Sequence, residues 1–454
     1  GASLSGLALT DGPTGVVAAN ASGVSIANAT FEELSDPAIA LTGSPGAVVR
    51  DTGMRDTGGG VIADGTEGVI IENVTFEEIG RSAVDLANAS GATVRDVDVA
   101  NGSGGIAVRS SPDLAVRNAT IEGTPGSAVN VTASGDALVS SVEVRNASLG
   151  VVAGSAPGIR IVDLRADGID GSAVEVSNAT NATVERVAVS NGSAGLSVRS
   201  APNAKVEGGS FTDLGGAALE VRNADDAIVR GVTVTNVTTG VGYTATGDRD
   251  LSLVQIRNAT VTNASDGVRV NVTGGASLSE LTISGLDLSG NEHGLGLFAS
   301  GNPDEPAIEN VTVEDSTIQD SSTRSVEVSI VGRTPTVSNV SLRNLDVDGS
   351  SDSEGIRLSS RTGRLEDLVV RNSSITSSAV GVVIRNRDAV VRNVDVFRNR
   401  ITDNEQGVRI REAGPGPNTS NLGVRQNLIA NSDDVGVLVT EGTTPSRSSE
   451  DVVG

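Results

Sequence analysis

The stretch SAVDLANASGATVRDVDVANGSGGIAVRSSPD, residues 82–113, decides the fold of this chain of 454 residues. In its short segments apolar and polar residues alternate, as in Val84, Asp85 and Leu86. This period of two is typical of β-strands with one buried face. Clusters of Gly, Asn, Asp and Ser separate the segments and predict tight turns. The stretch therefore predicts short strands joined by turns, and no helical stripe competes with them.

The pattern of this stretch returns every 45 residues. Related blocks are TGVVAANASG at Thr14, GGVIADGTEG at Gly59, GGIAVRSSPD at Gly104, LGVVAGSAPG at Leu149 and AGLSVRSAPN at Ala194. Each block holds two coils of 22 or 23 residues, and from Val241 onward the coil openings lie 26 to 31 residues apart. A fixed period of this kind predicts an all-β solenoid, here a parallel β-helix of about 18 coils.

The spacing of the coils suggests three regions. Residues 1–240 form the regular double-coil repeat, residues 241–440 continue the β-helix with longer loops, and residues 441–454 form a Ser/Thr-rich tail. Insertions in a solenoid gather on loops and often mark the binding face. The longer loops of the second region are therefore where we expect a partner to bind.

Two columns of residues support the coil alignment. One column contains types that tolerate the left-handed backbone of a tight turn, namely Asn28, Asn73, Asn118, Asp163 and Gly208. A second column, three residues later, is mostly large and apolar: Phe31, Phe76, Ile121, Ala166 and Phe211. We expect this second column to fill the lumen of the solenoid.

The composition limits both partners and environment. The formal net charge is -24, and Lys205 is the only lysine. A chain this acidic repels nucleic acid and anionic membrane surfaces, so neither is an expected partner. At ~1 M salt the screening length falls to roughly 3 Å and this self-repulsion nearly vanishes. The composition therefore resembles that of proteins from salt-loving archaea, with an ordinary acidic secreted protein as the alternative.

Other features concern compartment and attachment. The chain has no Cys, so disulfides contribute nothing. No apolar run approaches the ~20 residues that a membrane span needs. The chain starts without Met, and we expect it to be a mature or excised piece of a secreted protein.

Coils of this length, with a glycine-apolar opening and an Asn turn, resemble the pectin-lyase-like right-handed parallel β-helices. The likeness is greatest to NosD-like or carbohydrate-binding surface repeats, and it covers Thr14 to about Thr440. It implies a right-handed solenoid. That superfamily holds lyases, hydrolases, viral tailspikes, adhesins and plain scaffolds, so the resemblance determines the fold and leaves the function open.

Catalytic candidates were sought at the outward position of the first strand of each coil. Glu175 and Glu220 occupy this position two coils apart, roughly 9 to 10 Å, which is marginally suitable for an inverting carboxylate pair. The alternative is a solvated acidic face. Glu327 and Arg357 are expected to form a cross-coil ion pair. No residue is assigned as catalytic; Glu175 and Glu220 are the candidates.

Calcium is the only cofactor for which residues can be named. Asp346, Asp348 and Asp352 have carboxylates at the alternate positions of a calcium loop. The sixth position is Ser351 where Gly is needed, and the twelfth is Arg357 where Glu should close the shell. A polar turn explains the same residues.

Platforms for sugar stacking are few. Tyr243, Phe298 and Phe397 are the aromatic residues not assigned to the lumen. His293, the only histidine, is expected in a solvent-facing loop.

Asparagine is the strongest modification signal. Of 31 asparagines, 19 begin an Asn-x-Ser/Thr sequon without an intervening Pro, which implies export to a glycosylating surface. The alternative is a stacked amide ladder in the column of Asn28, Asn73 and Asn118. The favoured glycosylation sites lie outside that column: Asn20, Asn88, Asn101, Asn130, Asn146, Asn181, Asn191, Asn236, Asn263 and Asn271.

These observations favour an extracellular, glycosylated structural or adhesive surface protein, such as a filament or stalk segment, and not an enzyme. The alternatives are a polysaccharide lyase or glycoside hydrolase, and a viral tailspike or receptor-binding fibre. Neither end of the repeat has an evident polar cap, so we expect association end to end or a longer parent chain. N-linked glycans and a surface polysaccharide are the other expected partners.

Overall fold

The computed structural model describes residues 1–301, 306–331, 335–413 and 418–440. It is an all-β parallel solenoid of about 18 turns with 72% strand, and no helix occurs in these ranges. The chain divides into two compact units, Gly1–Gly215 and Gly216–Gly454. The proposed boundary at residue 240 rests on coil length, a different criterion, and the tail 441–454 lies outside the described residues.

Unit 1 is built from short strands that pair in parallel. They are β1 Ser3–Ser5, β2 Ala8–Gly12, β3 Val16–Ala19, β4 Ser25–Thr42, β5 Val48–Asp64, β6 Ile70–Glu77, β7 Ser82–Ala87, β8 Thr93–Ala100, β9 Gly104–Arg109, β10 Ala115–Glu122, β11 Ser127–Thr132, β12 Leu138–Ala147, β13 Leu149–Gly154, β14 Arg160–Ile169, β15 Ser172–Ser177, β16 Thr183–Gly192, β17 Ala194–Arg199 and β18 Lys205–Leu214.

Unit 2 repeats this plan with longer connections. Its strands are β19 Ala217–Arg222, β20 Ile228–Thr246, β21 Asp250–Leu251, β22 Gln255–Arg257, β23 Thr260–Gly274, β24 Ser277–Ser284, β25 Asp287–Ser289, β26 His293–Gly301, β27 Pro306–Gln319, β28 Arg324–Ile330, β29 Thr336–Asp348, β30 Glu354–Ser360, β31 Arg364–Arg371, β32 Ser374–Thr376, β33 Val380–Arg387, β34 Val390–Phe397, β35 Arg400–Thr402, β36 Gln406–Ala413, β37 Asn418–Arg425, β38 Leu428–Ala430 and β39 Val435–Thr440.

The alternation seen in the sequence sets which side chains face inward. Val84 and Leu86 are fully buried, whereas Asp85 between them faces outward and pairs in register with Ala107. The same outward register continues through unit 2, where Glu327 pairs with Arg357 and Arg357 with Val383. The predicted outward position of the first strand is thus confirmed within each unit.

The turns take the left-handed backbone that the sequence predicts. Asn28, Asn73 and Asn118 have φ of 49°, 52° and 50°, and Asp163 and Gly208 continue the column at 55° and 67°. Of the 30 asparagines in the described ranges, 22 have positive φ. Asn tolerates this region better than most side chains, so turn geometry accounts for the choice of Asn at these positions.

The lumen contains the predicted apolar column. Phe31, Phe76 and Phe211 are at most 1% exposed, and Ile121 and Ala166 are also buried. Tyr243 is buried as well, with 2% exposure, which corrects the expectation that it was available as a sugar platform. No helix in the described ranges is long and apolar enough to cross a membrane.

One glycine of the coil opening is required by close packing. A Cβ on Gly105 would collide with the carbonyl oxygen of Ala128 in the next coil. Any side chain at position 105 would therefore push the strands of the two successive coils apart.

Candidate functional site: an arginine groove

An outward face of unit 2 carries a groove of about 640 Å³. We call it the arginine groove. Its lining residues come from β28, β30, β33 and β36 and the turns that follow these strands: Ser329, Ile330, Val331, Arg357, Ser359, Ser360, Arg361, Arg385, Arg387, Asp388, Arg411 and Ala413. Five of them are arginines and one is an acid, in a chain whose net charge is -24.

The strand register creates the groove. Ser329, Ser359, Arg385 and Arg411 occupy one outward column on successive strands. The two serines are small and nearly buried, and the hydroxyl of Ser359 donates to that of Ser329 over 3.0 Å. They form a low floor beside the long arginine side chains, so a depression results.

One edge of the groove is fixed by a layer of ion pairs. Glu327 accepts from Nη1 of Arg324 at 2.9 Å and lies 3.6 Å from Nε of Arg357. Nη1 of Arg357 lies 2.7 Å from Glu354. The Glu327 side chain is only 8% exposed, and that of Arg357 14%. The sequence-based prediction of a cross-coil pair between Glu327 and Arg357 is confirmed. Glu327 and Glu354 together hold the Arg357 guanidinium in place.

The remaining four arginines of the groove lack such partners. Among the described residues, no carboxylate forms an ion pair with Arg361, Arg385, Arg387 or Arg411. Burial, followed by the nearby charges of Arg357 and Arg411, holds the pKa of Arg385 below its ordinary value. Like charges gathered without a counter-ion favour the binding of an anion.

The donor chemistry of the groove indicates what it can hold. Guanidinium groups donate hydrogen bonds and accept none, and their planar fork suits carboxylate, sulfate or phosphate oxygens. Within the described part of the chain, Asp388 is the only acid that lines the groove. The arrangement can therefore bind and orient an anionic group, and it offers no pair of carboxylates for glycoside hydrolysis.

The weak catalytic candidates lie outside the groove. Glu175 belongs to unit 1, where it pairs in register with Val152 and Ser197. Glu220 belongs to unit 2, where it accepts a hydrogen bond from Arg222 at 3.1 Å. Each is half-buried on the outward face of its own strand.

The calcium candidates do not converge. Asp346 and Asp348 lie on β29, and Asp348 accepts a hydrogen bond from Thr376 at 3.0 Å. Asp352 is exposed in the turn before β30. Nowhere in the described ranges do three or more His, Cys, Asp or Glu side chains form a group that could hold a metal ion.

The remaining aromatic residues and the histidine are more enclosed than expected. His293 is the first residue of β26 and not part of a loop, and its Nδ1 is buried without a hydrogen-bond partner. Phe298 is half-buried with the Arg269 guanidinium 4.8 Å from its ring centroid. Phe397 is flanked by Arg398 and Arg425.

The favoured sequons are surface residues of both units. Those that are exposed are Asn20, Asn88, Asn101, Asn146, Asn181, Asn191, Asn236 and Asn263, whereas Asn130 and Asn271 are half-buried. They lie outside the column of Asn28, Asn73 and Asn118, but several of their side chains donate hydrogen bonds to the neighbouring coil. Asn88 donates to Asp64 at 3.0 Å, Asn191 donates to Asp167 at 2.8 Å, and Asn263 donates to Asn236 at 3.3 Å.

Sequence reasoning overlooked the groove because it followed one outward position per coil. Arg357 lies on that position, but Arg385 and Arg411 lie two residues farther along their strands, and Arg361 and Arg387 follow beyond them. A usable signal was present: five arginines fall in three successive coils of a chain that is otherwise strongly acidic. Reading the next two outward positions of each coil would have found them.

The repeat, the parallel register and the outward groove can be compared with known families. The model described as "Right handed beta helix region" matches residues 1–149, 149–310 and 276–452. The chain belongs to this family. Comparison with the curated proteins gives no match.

Solved structures similar to this right-handed β-helix protein differ in function. A tailspike of E. coli bacteriophage HK620 has 10% identity and a TM-score of 0.40, over 97% of this chain and 73% of the tailspike. A GH87 α-1,3-glucanase catalytic domain has 11% and 0.31, over 86% and 64%. PfbA, a surface adhesin of Streptococcus pneumoniae, has 11% and 0.30, over 81% and 85%. Likeness at these values concerns the fold alone.

Proposed function

We propose that this protein is an extracellular adhesive surface protein that binds an acidic polysaccharide in the arginine groove. The observation that supports the proposal is the gathering of Arg361, Arg385, Arg387 and Arg411 without carboxylate partners among the described residues. The net charge of -24 repels a polyanion, so binding depends on this local group of cations. Unpaired cations at close range cost free energy, and an anionic ligand would recover it. Structural support of a surface layer, with glycans on exposed sequons, is part of the same proposal.

A binding role is favoured over a catalytic one by the composition of the groove. General acid and base catalysis needs groups that exchange protons near the working pH, and guanidinium groups stay protonated. The acid that lines the groove, Asp388, is exposed in a turn with φ of 59°. The lyase or hydrolase and the viral fibre are the competing functions.

Binding to immobilised polysaccharides tests the proposal. At about 0.15 M salt, the protein should bind polygalacturonate or dextran sulfate and not neutral dextran. The double variant Arg385→Gln/Arg411→Gln should lose at least about tenfold in affinity, since charged hydrogen bonds contribute about 1.5–3 kcal/mol each.

The matched control is Arg117→Gln/Arg165→Gln, which removes two exposed arginines of unit 1 that have no carboxylate partner among the described residues. It changes the net charge by the same amount and should retain affinity. Equal losses in both variants, or no binding to either acidic polymer, would contradict the proposal. Release of reducing ends from the polymers would instead favour the enzyme.

A further inference from the structure

We infer that the arginine groove binds two anionic groups of one glycan chain at the same time, one at Arg385 and Arg411 and one at Arg361 and Arg387. This inference rests on the proposed function and adds the class of ligand: an oligosaccharide with carboxylate or sulfate groups on more than one sugar.

The positions of the arginines suggest two sites. Arg385 and Arg411 are register partners on β33 and β36, so their Cα atoms are one coil apart, ~4.8 Å. Ser360 and Asn386 are register partners on β30 and β33, and Arg361 and Arg387 directly follow them. Within β33, Arg387 lies two residues beyond Arg385, ~6.6 Å along the strand. The four arginines therefore form two neighbouring pairs.

A single anion can satisfy only one of these pairs. One carboxylate or sulfate group accepts hydrogen bonds from one or two guanidinium groups. The second pair would keep its mutual repulsion, which acts over only a few ångströms in a partly enclosed groove and is weakly screened. Arg385 already experiences this repulsion, because the charge of its register partner Arg411 adds to burial in holding the pKa of Arg385 below its ordinary value. A second anionic group on the same ligand removes it.

The fifth arginine does not provide a third site. Arg357 is held by Glu354 at 2.7 Å and by Glu327 at 3.6 Å, so its charge is largely neutralised within the protein. Its role is to form the edge of the groove beside Arg385. Among the described residues of the groove, the number of unneutralised pairs is therefore two, and the ligand that matches them carries two anionic groups.

Calorimetric titration with matched oligosaccharides tests the inference. Tetrasaccharides that carry one or two carboxylates, and a parallel set with one or two sulfates, are titrated into the full chain. The dianionic member of at least one set should bind at least about tenfold tighter than its monoanionic counterpart, as expected when two linked groups bind together. The two parallel sets distinguish a preference for carboxylate groups from a preference for sulfate groups.

Variants then assign the two anionic groups. Either Arg385→Gln/Arg411→Gln or Arg361→Gln/Arg387→Gln should reduce the advantage of the dianionic ligand to about twofold, and the Arg117→Gln/Arg165→Gln control should keep it. Equal affinity of the wild-type protein for mono- and dianionic ligands would overturn the inference while leaving the proposed function intact. No binding of any anionic ligand would overturn both. The comparison of ligands on the wild-type protein needs no variant to fold.

Discussion

The phenol of Tyr243 donates a hydrogen bond of 3.0 Å to the carbonyl oxygen of Ala224 in the interior of unit 2. The residue is 2% exposed, and Ala224 is fully buried. The largest polar aromatic side chain of the protein thus supports the packing of the solenoid, and it is withdrawn from any ligand on the surface.

Replacing Tyr243 should test this role. Tyr243→Phe keeps the ring and leaves a buried carbonyl without this partner, so we expect a loss of about 1 kcal/mol in the free energy of unfolding. Tyr243→Ala also creates a cavity and should cost about 3–5 kcal/mol. Denaturant unfolding measures both, and similar losses in the two variants would argue against the packing described.

The same phenol predicts a dependence on alkaline pH. Burial raises the pKa of Tyr243 well above its ordinary value. Because the unfolded chain ionises first, the stability contributed by the neutral phenol is present below about pH 10 and should fall as the pH rises beyond it. Tyr243→Phe removes the only tyrosine and should show a smaller decrease over this range. Parallel alkaline curves for the two proteins would exclude this cause.

The ion pairs beside the arginine groove should contribute more to the free energy of unfolding than ion pairs between exposed side chains. Glu327→Gln leaves Arg324 and Arg357 to share the single carboxylate of Glu354, so one positive charge at a mostly buried site is uncompensated, and we expect a loss of about 3 kcal/mol. Glu77→Gln is the control, because Glu77 is half-exposed and lies 3.7 Å from Arg55. Its effect should be much smaller. Equal changes in the unfolding midpoint would show that burial of the layer does not matter.

The turn asparagines should stabilise the fold because they tolerate a left-handed backbone, whether or not they carry a glycan. In protein made without glycosylation, Asn118→Ala places alanine at φ of 50° and removes a 3.1 Å hydrogen bond to Asp96, so we expect a loss of about 1–2 kcal/mol. Asn130 is also a sequon residue, but it lies within β11 without positive φ. Asn130→Ala should change stability little, and Asn118→Gly should recover part of the loss.

Salt should stabilise the protein. A net charge of -24 makes the folded chain repel itself, and this repulsion is screened as NaCl rises to molar concentration. The melting temperature should rise from low to multimolar NaCl. Sucrose at matched osmolality distinguishes screening from solvent exclusion, and an unchanged melting temperature in NaCl would remove the argument for a salt-loving source.

Much of the architecture could be read from the chain. The alternation of Val84, Asp85 and Leu86 determined which faces are buried, because successive side chains of a strand point to opposite sides. The column of Phe31, Phe76 and Phe211 was predicted to fill the lumen, since a fixed period places equivalent residues in one stack. Tyr243 could also have been assigned to the lumen, because it holds the same alternating position as Val221 in the preceding coil. The limit was His293, since the longer connections of unit 2 hide where β26 begins.

The sequence by itself determined the solenoid, its outward positions and its left-handed turns, since these depend on local periodicity and on residue types such as Asn118. The tertiary structure decided where the cations gather. Arg385 and Arg411 are 26 residues apart, as are Arg361 and Arg387, and the strand register brings each pair together on neighbouring coils. The structure also decided that Arg357 is neutralised by Glu327 and Glu354 while Arg385 lacks a carboxylate partner among the described residues. Charge pairing depends on distances of a few ångströms between side chains, and only the folded stack of coils fixes these.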